Sequence, residues 1–188
     1  MISGGRSMLQ ASIDERTDVI ARLIISAPDL IRSSFINHEK NAKAFAKDNS
    51  DGDADVYSSL FLSYNNEFRP EEEEWMLFEF YRAMVMLICS FAETKLKGLL
   101  KNPAHSFSSN YLCNAYNQIN NESNLGLRSI GHYWKGHQDF TKKRNDITHN
   151  RRDVDVTQDE LLTALSGVHS LLRAVADAFD RIEKARNI

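Results

Sequence analysis

From Leu161 to Ile182 the apolar residues fall at 161, 162, 165, 168, 171, 172, 175, 179 and 182, one stripe at helical spacing. A helix patterned this way is stable only when the stripe is covered, so the chain must supply other apolar elements to pack on it. Thr157-Gln158-Asp159-Glu160 stands immediately before it, a hydroxyl and a carboxylate three residues apart in the form of a capping box. With only eight glycines and three prolines among 188 residues, other long segments are free to be helical too.

Further helices can be placed along the chain. Ser12-Ile13-Asp14-Glu15 has the capping-box form, and Val19, Ile20, Leu23 and Ile24 follow at helical spacing. Pro28 is expected to kink or restart that helix, with Leu30, Ile31 and Phe35 continuing it to a polar loop near residues 48–55. Pro70 and the run Glu71 to Glu74 mark a strong start, since proline suits the first position and carboxylates suit the positive end of the dipole. Trp75 to Leu100 is apolar on most sides, as a central core helix would be, and Asn102-Pro103 stops it. Phe107, Tyr111, Leu112, Ala115, Tyr116 and Ile119 predict a shorter helix, and Leu125 to Trp134 another. No strand pattern, repeat or low-complexity linker stands out. The expectation is an all-α helical bundle around helices 71–101 and 157–185, with residues 1–60 as an N-terminal helical extension and 61–188 as the bundle domain.

The proportions, 42% apolar and 26% charged, match a soluble globular chain. A net charge of -3 argues against a protein that coats nucleic acid through bulk charge. Cys89 and Cys113 sit in apolar stretches and read as buried free thiols, in keeping with a reducing compartment. MISGGRSMLQ lacks the apolar run of a signal peptide. The apolar run AMVMLICSFA, between Arg82 and Glu93, is about half the roughly 20 residues of a membrane span. A cytoplasmic protein without membrane contact is expected.

Several chemistries are disfavoured. The run Asp51-Gly52-Asp53-Ala54-Asp55 has Val56 where a calcium loop needs glycine, and Leu62 where it needs glutamate. His132 and His137 have no cysteine nearby and form no HExxH pattern, so no zinc site is expected. No phosphate-cradling glycine loop occurs, and no cofactor is implied.

What remains is KKRNDITHN, residues 142–150. Residues 141–152 hold five cations, Lys142, Lys143, Arg144, Arg151 and Arg152, against the single carboxylate of Asp146. On a regular helix Asn145 and His149 share a face, while Arg144 and His149 diverge by about 140°. For both to face one phosphate, the helix must end or bend within the motif, or two copies must meet across a symmetric interface. Phe140 and Ile147, seven apart, would anchor the segment to the core. A forked, always-charged guanidinium suits phosphate oxygens, and an imidazole suits proton transfer near neutrality. RNA carries its own 2′-hydroxyl nucleophile, so such a pair can cleave it without metal, His149 as acid or base and Arg144 on the phosphorane charge. A histidine at a helix end also serves as a cap, and the residues alone leave both readings open.

Arg144 to His149, RNDITH, resembles the Arg-x4-6-His motif of the HEPN superfamily in its form with Asn after the arginine. The order of a long apolar helix upstream and a long amphipathic helix downstream is similar as well, as is FAETKLKGLL (91–100), with its glutamate in an apolar run. The resemblance covers roughly residues 71–185. It implies a metal-independent endoribonuclease acting as a homodimer through the face of residues 136–152. Arg144 and His149 would then be the catalytic pair, with Asn145 assisting. Lys142, Lys143, Arg151 and Arg152 would contact RNA, and Glu93 would either orient Arg144 or form a structural salt bridge. Related proteins are toxins, often opposed by a nucleotidyltransferase-type antitoxin, or abortive-infection effectors in phage defence. Thr148 and Asn150 depart from the frequent small-residue–His–Gly ending, which leaves subgroup and substrate open. The alternative is a non-catalytic helical module for dimerisation or for RNA or nucleotide binding.

Overall fold

The computed structural model describes residues 8–48, 70–100, 111–149 and 154–186, with side chains of the first helix described to residue 34. Every regular element among them is helical: α1 (Met8–Asp48), α2 (Pro70–Lys97), α3 (Tyr111–Glu122), α4 (Ile130–Tyr133), α5 (His137–Thr148) and α6 (Gln158–Arg186). Chain contacts gather into two compact units, Met1–Ile24 with Tyr81–Ile188, and Ile25–Phe80. The all-α expectation holds for the described residues, and the first unit, which carries the motif, is a helical bundle. The Asp51–Asp55 run and Asn102-Pro103 lie outside the described residues.

α6 forms where the stripe predicts it. Thr157 N–H donates to Glu160 Oε2 at 3.0 Å, and Glu160 N–H donates to Thr157 Oγ1 at 3.2 Å, which closes the capping box. Leu161, Leu165, Val168, Leu171, Leu172 and Val175 are all at most 2% exposed. At roughly 1.5–3 kcal/mol for each buried aliphatic side chain, this face is a main source of the unit's stability. Gly167 lies beside the stripe for a reason. A Cβ there would lie 2.2 Å from Cδ1 of Trp134, so the indole rests directly on the α6 backbone.

α2 contributes Val85, Ile88, Ala92 and Leu96, each with no exposed surface. By length and composition Glu72–Lys97 could cross a membrane, and 44% of an apolar 18-residue stretch within it is buried inside the protein. A core helix satisfies the same criterion, so its composition alone does not distinguish the two.

α1 corrects one expectation and narrows another. It begins at Met8, so Ser12 lies inside the helix instead of capping it, and the Ser12 hydroxyl accepts a hydrogen bond from Lys95 Nζ at 2.7 Å. The helix is also one element through Pro28, with no restart. Proline has no N–H for the carbonyl four residues back, which here is Ile24. Gln158 Nε2 of α6 donates to that Ile24 oxygen at 3.1 Å and replaces the missing bond. Farther up α1, His169 Nε2 lies 2.8 Å from Asp14 Oδ1, and Gln10 bonds Asp177. The first turns of α1 therefore run antiparallel along α6, with Ile13, Ile20 and Ile24 buried. They are grouped with the motif-bearing helices, and the break in compactness falls after Ile24.

Leu125 to Trp134 is not the expected helix; only Ile130–Tyr133 is helical. Asn124 and Gly126 take left-handed φ of 49° and 64°, and both polar atoms of the Asn120 side chain bond Leu127. Leu125 is buried from a pinned loop, Ile130 from the short helix and Trp134 from its C-cap, a succession that imitates one helix's spacing in sequence.

Candidate functional site

α5 starts behind Gly136, whose φ of 78° is the left-handed turn that sets its entry. His137 and Phe140 are its buried residues, and Phe140 packs 5.8 Å from the Trp134 ring. Phe140 is thus the anchor the sequence indicated, whereas Ile147 is only half-buried. One turn beyond Phe140 the same face of α5 presents Arg144 to α2.

Arg144 Nη2 donates to Glu93 Oε1 at 2.9 Å and Oε2 at 3.1 Å, and Nη1 donates to Asn145 Oδ1 at 3.0 Å. Both members of the ion pair are largely enclosed, with 22% and 19% of their side chains exposed. Burial raises the Glu93 carboxyl above its ordinary value, although the Arg144 charge and hydrogen bond pull it down. Cys89, one turn before Glu93, is buried and its thiol is pushed up to about 12, so it is inert as a nucleophile near neutrality. Thr148 Oγ1 donates back to Arg144 O at 2.8 Å and touches Met86 Sδ at 3.6 Å. These contacts, Glu93 with Arg144 and Met86 with Thr148, set α5 antiparallel to α2.

The helix continues through Thr148, and His149 is its C-cap, with its N–H donating to Asn145 O at 3.0 Å. Arg144 to Thr148 therefore keep helical geometry without a break. His149 is exposed. The helix thus ends within the motif, between Thr148 and His149, which is one of the arrangements the sequence allows.

The remaining candidates divide. Lys142 is exposed and borders a shallow cleft of about 440 Å³ that also holds Asp139, Asp146, Asp155 and Lys143, so carboxylates outnumber ammoniums there. Lys143 Nζ donates to Glu160 Oε1 at 2.7 Å and to Asp155 O at 2.9 Å, and so is committed to α6. Arg151 and Arg152 lie outside the described residues. His137 Nδ1 faces Trp134 O at 3.2 Å, a structural role, and His132 Nε2 lies 3.2 Å from Arg128 Nη1. Among the described residues no group of His, Cys, Asp and Glu is arranged to hold a metal ion. Sequence reasoning did not find the engagement of Lys143. The capping-box glutamate was visible, but nothing local pairs it with a lysine 17 residues away.

Comparison with protein-family models, with curated proteins and with solved structures found no match to this chain.

Proposed function

We propose that this protein is a metal-independent endoribonuclease of the HEPN type. The observation that carries the reading is the orientation of Arg144 by Glu93 and Asn145, at the end of the helix whose cap is the exposed His149. A guanidinium has five N–H donors, and the three bonds described leave Nε–H and one Nη1 hydrogen for a phosphate. His149 exchanges protons with the 2′-hydroxyl and the leaving oxygen, and Arg144 offsets charge on the phosphorane. Asn145 assists by holding Arg144.

Because helical spacing sets Arg144 and His149 about 140° apart, a homodimer through the face of residues 136–152 supplies both groups to one phosphate. Lys142, Arg151 and Arg152 are the phosphate contacts in this reading. The toxin or phage-defence role, a nucleotidyltransferase-type antitoxin and a cytoplasmic setting follow from the resemblance alone.

A second reading has its own observation. The Glu93–Arg144 bridge is enclosed enough to be a packing device, and carboxylates crowd Lys142, as suits a non-catalytic helical module. Incubating the purified protein with end-labelled RNA separates the two. The nuclease yields fragments with 2′,3′-cyclic phosphate ends, equally with and without EDTA, and the module yields none.

A further inference from the structure

Lys143 adjoins Arg144 in sequence but not in direction, since neighbouring residues on a helix diverge by about 100°. Its ammonium reaches Glu160 Oε1 at 2.7 Å and Asp155 O at 2.9 Å. The other oxygen of Glu160 accepts the Thr157 N–H at 3.0 Å. One carboxylate thus serves two ends: it caps α6 and holds the last turns of α5. The arrangement draws the Glu160 carboxyl below its ordinary value, with the Lys143 hydrogen bond as the largest cause and the Thr157 amide next.

We infer that Lys143 is a positioning residue, which fixes the end of α5 on the capping box of α6 and thereby sets where Arg144 and His149 stand. Its catalytic consequence rests on the ribonuclease reading; the clamp itself does not. The geometry opposes a phosphate contact, because a phosphate drawn to this ammonium meets the Glu160 carboxylate at the same place. Positioning of this kind acts on rate, since misplacing a reacting group by about 1 Å can cost on the order of 10²-fold.

The test uses the full chain with Lys143→Met, Lys143→Arg and Glu160→Gln, and the Lys143→Met/Glu160→Gln pair. Glutamine at 160 keeps the capping box and removes only the charge, so it separates the clamp from the cap. Circular dichroism checks that each variant is folded. Amide hydrogen exchange then reads the motif independently of activity, and steady-state cleavage of labelled RNA reads kcat and KM. Lys143→Met and Glu160→Gln are each expected to speed exchange at Thr148 and His149 about tenfold, without change at Leu171 and Val175. In each, kcat should fall about tenfold with KM little changed. The double variant should be no worse than either single one, and Lys143→Arg should retain most of the rate.

If Lys143→Met raises KM alone and Glu160→Gln does nothing, Lys143 is a phosphate contact and the inference is overturned. Unmoved exchange at the motif overturns it too, as does an unchanged kcat in an enzyme whose motif exchange has risen. If the wild type cuts no RNA while exchange responds as stated, the ribonuclease reading falls and the clamp stands.

Discussion

Arg144 grips both carboxylate oxygens of Glu93 through one nitrogen, at 2.9 and 3.1 Å, and so joins the start of the motif to the C-terminal end of α2 across 51 residues of chain. The pair is too enclosed for its worth to be judged as a surface salt bridge. Removing one partner strands the other.

That enclosure gives a pH signature. Burial raises the folded-state pKa of Glu93, so its contribution to stability is full below the ordinary 4.5 and is lost as pH rises through the folded value. Glu160 has the opposite sign: its pKa is lowered, and its contribution is full above 4.5 and lost as pH falls through the folded value. Urea midpoints across this range should decline less on the alkaline side for Glu93→Gln, and less on the acid side for Glu160→Gln. Finding the same sign for both carboxylates would contradict this account.

His149→Ala should separate chemistry from folding. The residue is exposed and caps α5 through its backbone, so stability should change by no more than about 0.5 kcal/mol. Loss of a proton-transfer group should lower the cleavage rate by roughly 10² to 10⁴-fold with RNA affinity retained. Arg144→Ala cannot give so clean a result, because it also leaves the Glu93 carboxylate enclosed and unpaired, at about 1–3 kcal/mol. Equal loss of stability in both variants would show His149 to be a structural cap.

Gly167→Ala should destabilise the protein, although alanine favours a helix interior over glycine by about 1 kcal/mol. The added methyl would lie 2.2 Å from Trp134 Cδ1 and 2.6 Å from Cγ. Displacing an indole that is 1% exposed should cost about 1–3 kcal/mol net, seen as a lower melting temperature. A stabilised variant would mean that Trp134 does not lie on α6 as described.

Gln158 and Pro28 should be coupled. Gln158→Ala strips the Ile24 carbonyl of its donor, at about 1–2 kcal/mol. In a Pro28→Ala background residue 28 regains an N–H, which can take the carbonyl back, so the same change should cost less by at least about 0.5 kcal/mol. Strict additivity in a denaturation cycle would refute the substitution of one donor for the other.

Much of the fold was legible before any coordinates. The stripe from Leu161 to Ile182, the Thr157–Glu160 cap and the apolar span of α2 are local signals, set by the helix period and by orphan amides a few residues away. Ser12–Glu15 misled, because a capping box is only a pattern until a helix starts there, and α1 starts earlier. Leu125 to Trp134 misled because burial from a pinned loop and burial from a helix can place apolar residues at the same intervals.

What tertiary structure decided is which long side chains find one another, of which only Glu93 with Arg144 had been suggested, by the resemblance. The residue identities make Arg144, Glu93, Lys143 and Glu160 all candidates for ion pairs, and helical spacing assigns none of the pairings. Packing α5 against both α2 and the start of α6 gives Arg144 to Glu93 and Lys143 to Glu160, and it leaves His149 to solvent. The same docking lets Gln158 supply the bond that Pro28 removes, so a residue that reads as a helix breaker lies within a continuous helix. Period and capping are written within a few residues of each position, whereas these partners lie 17 to 134 residues apart and meet only once the helices are packed.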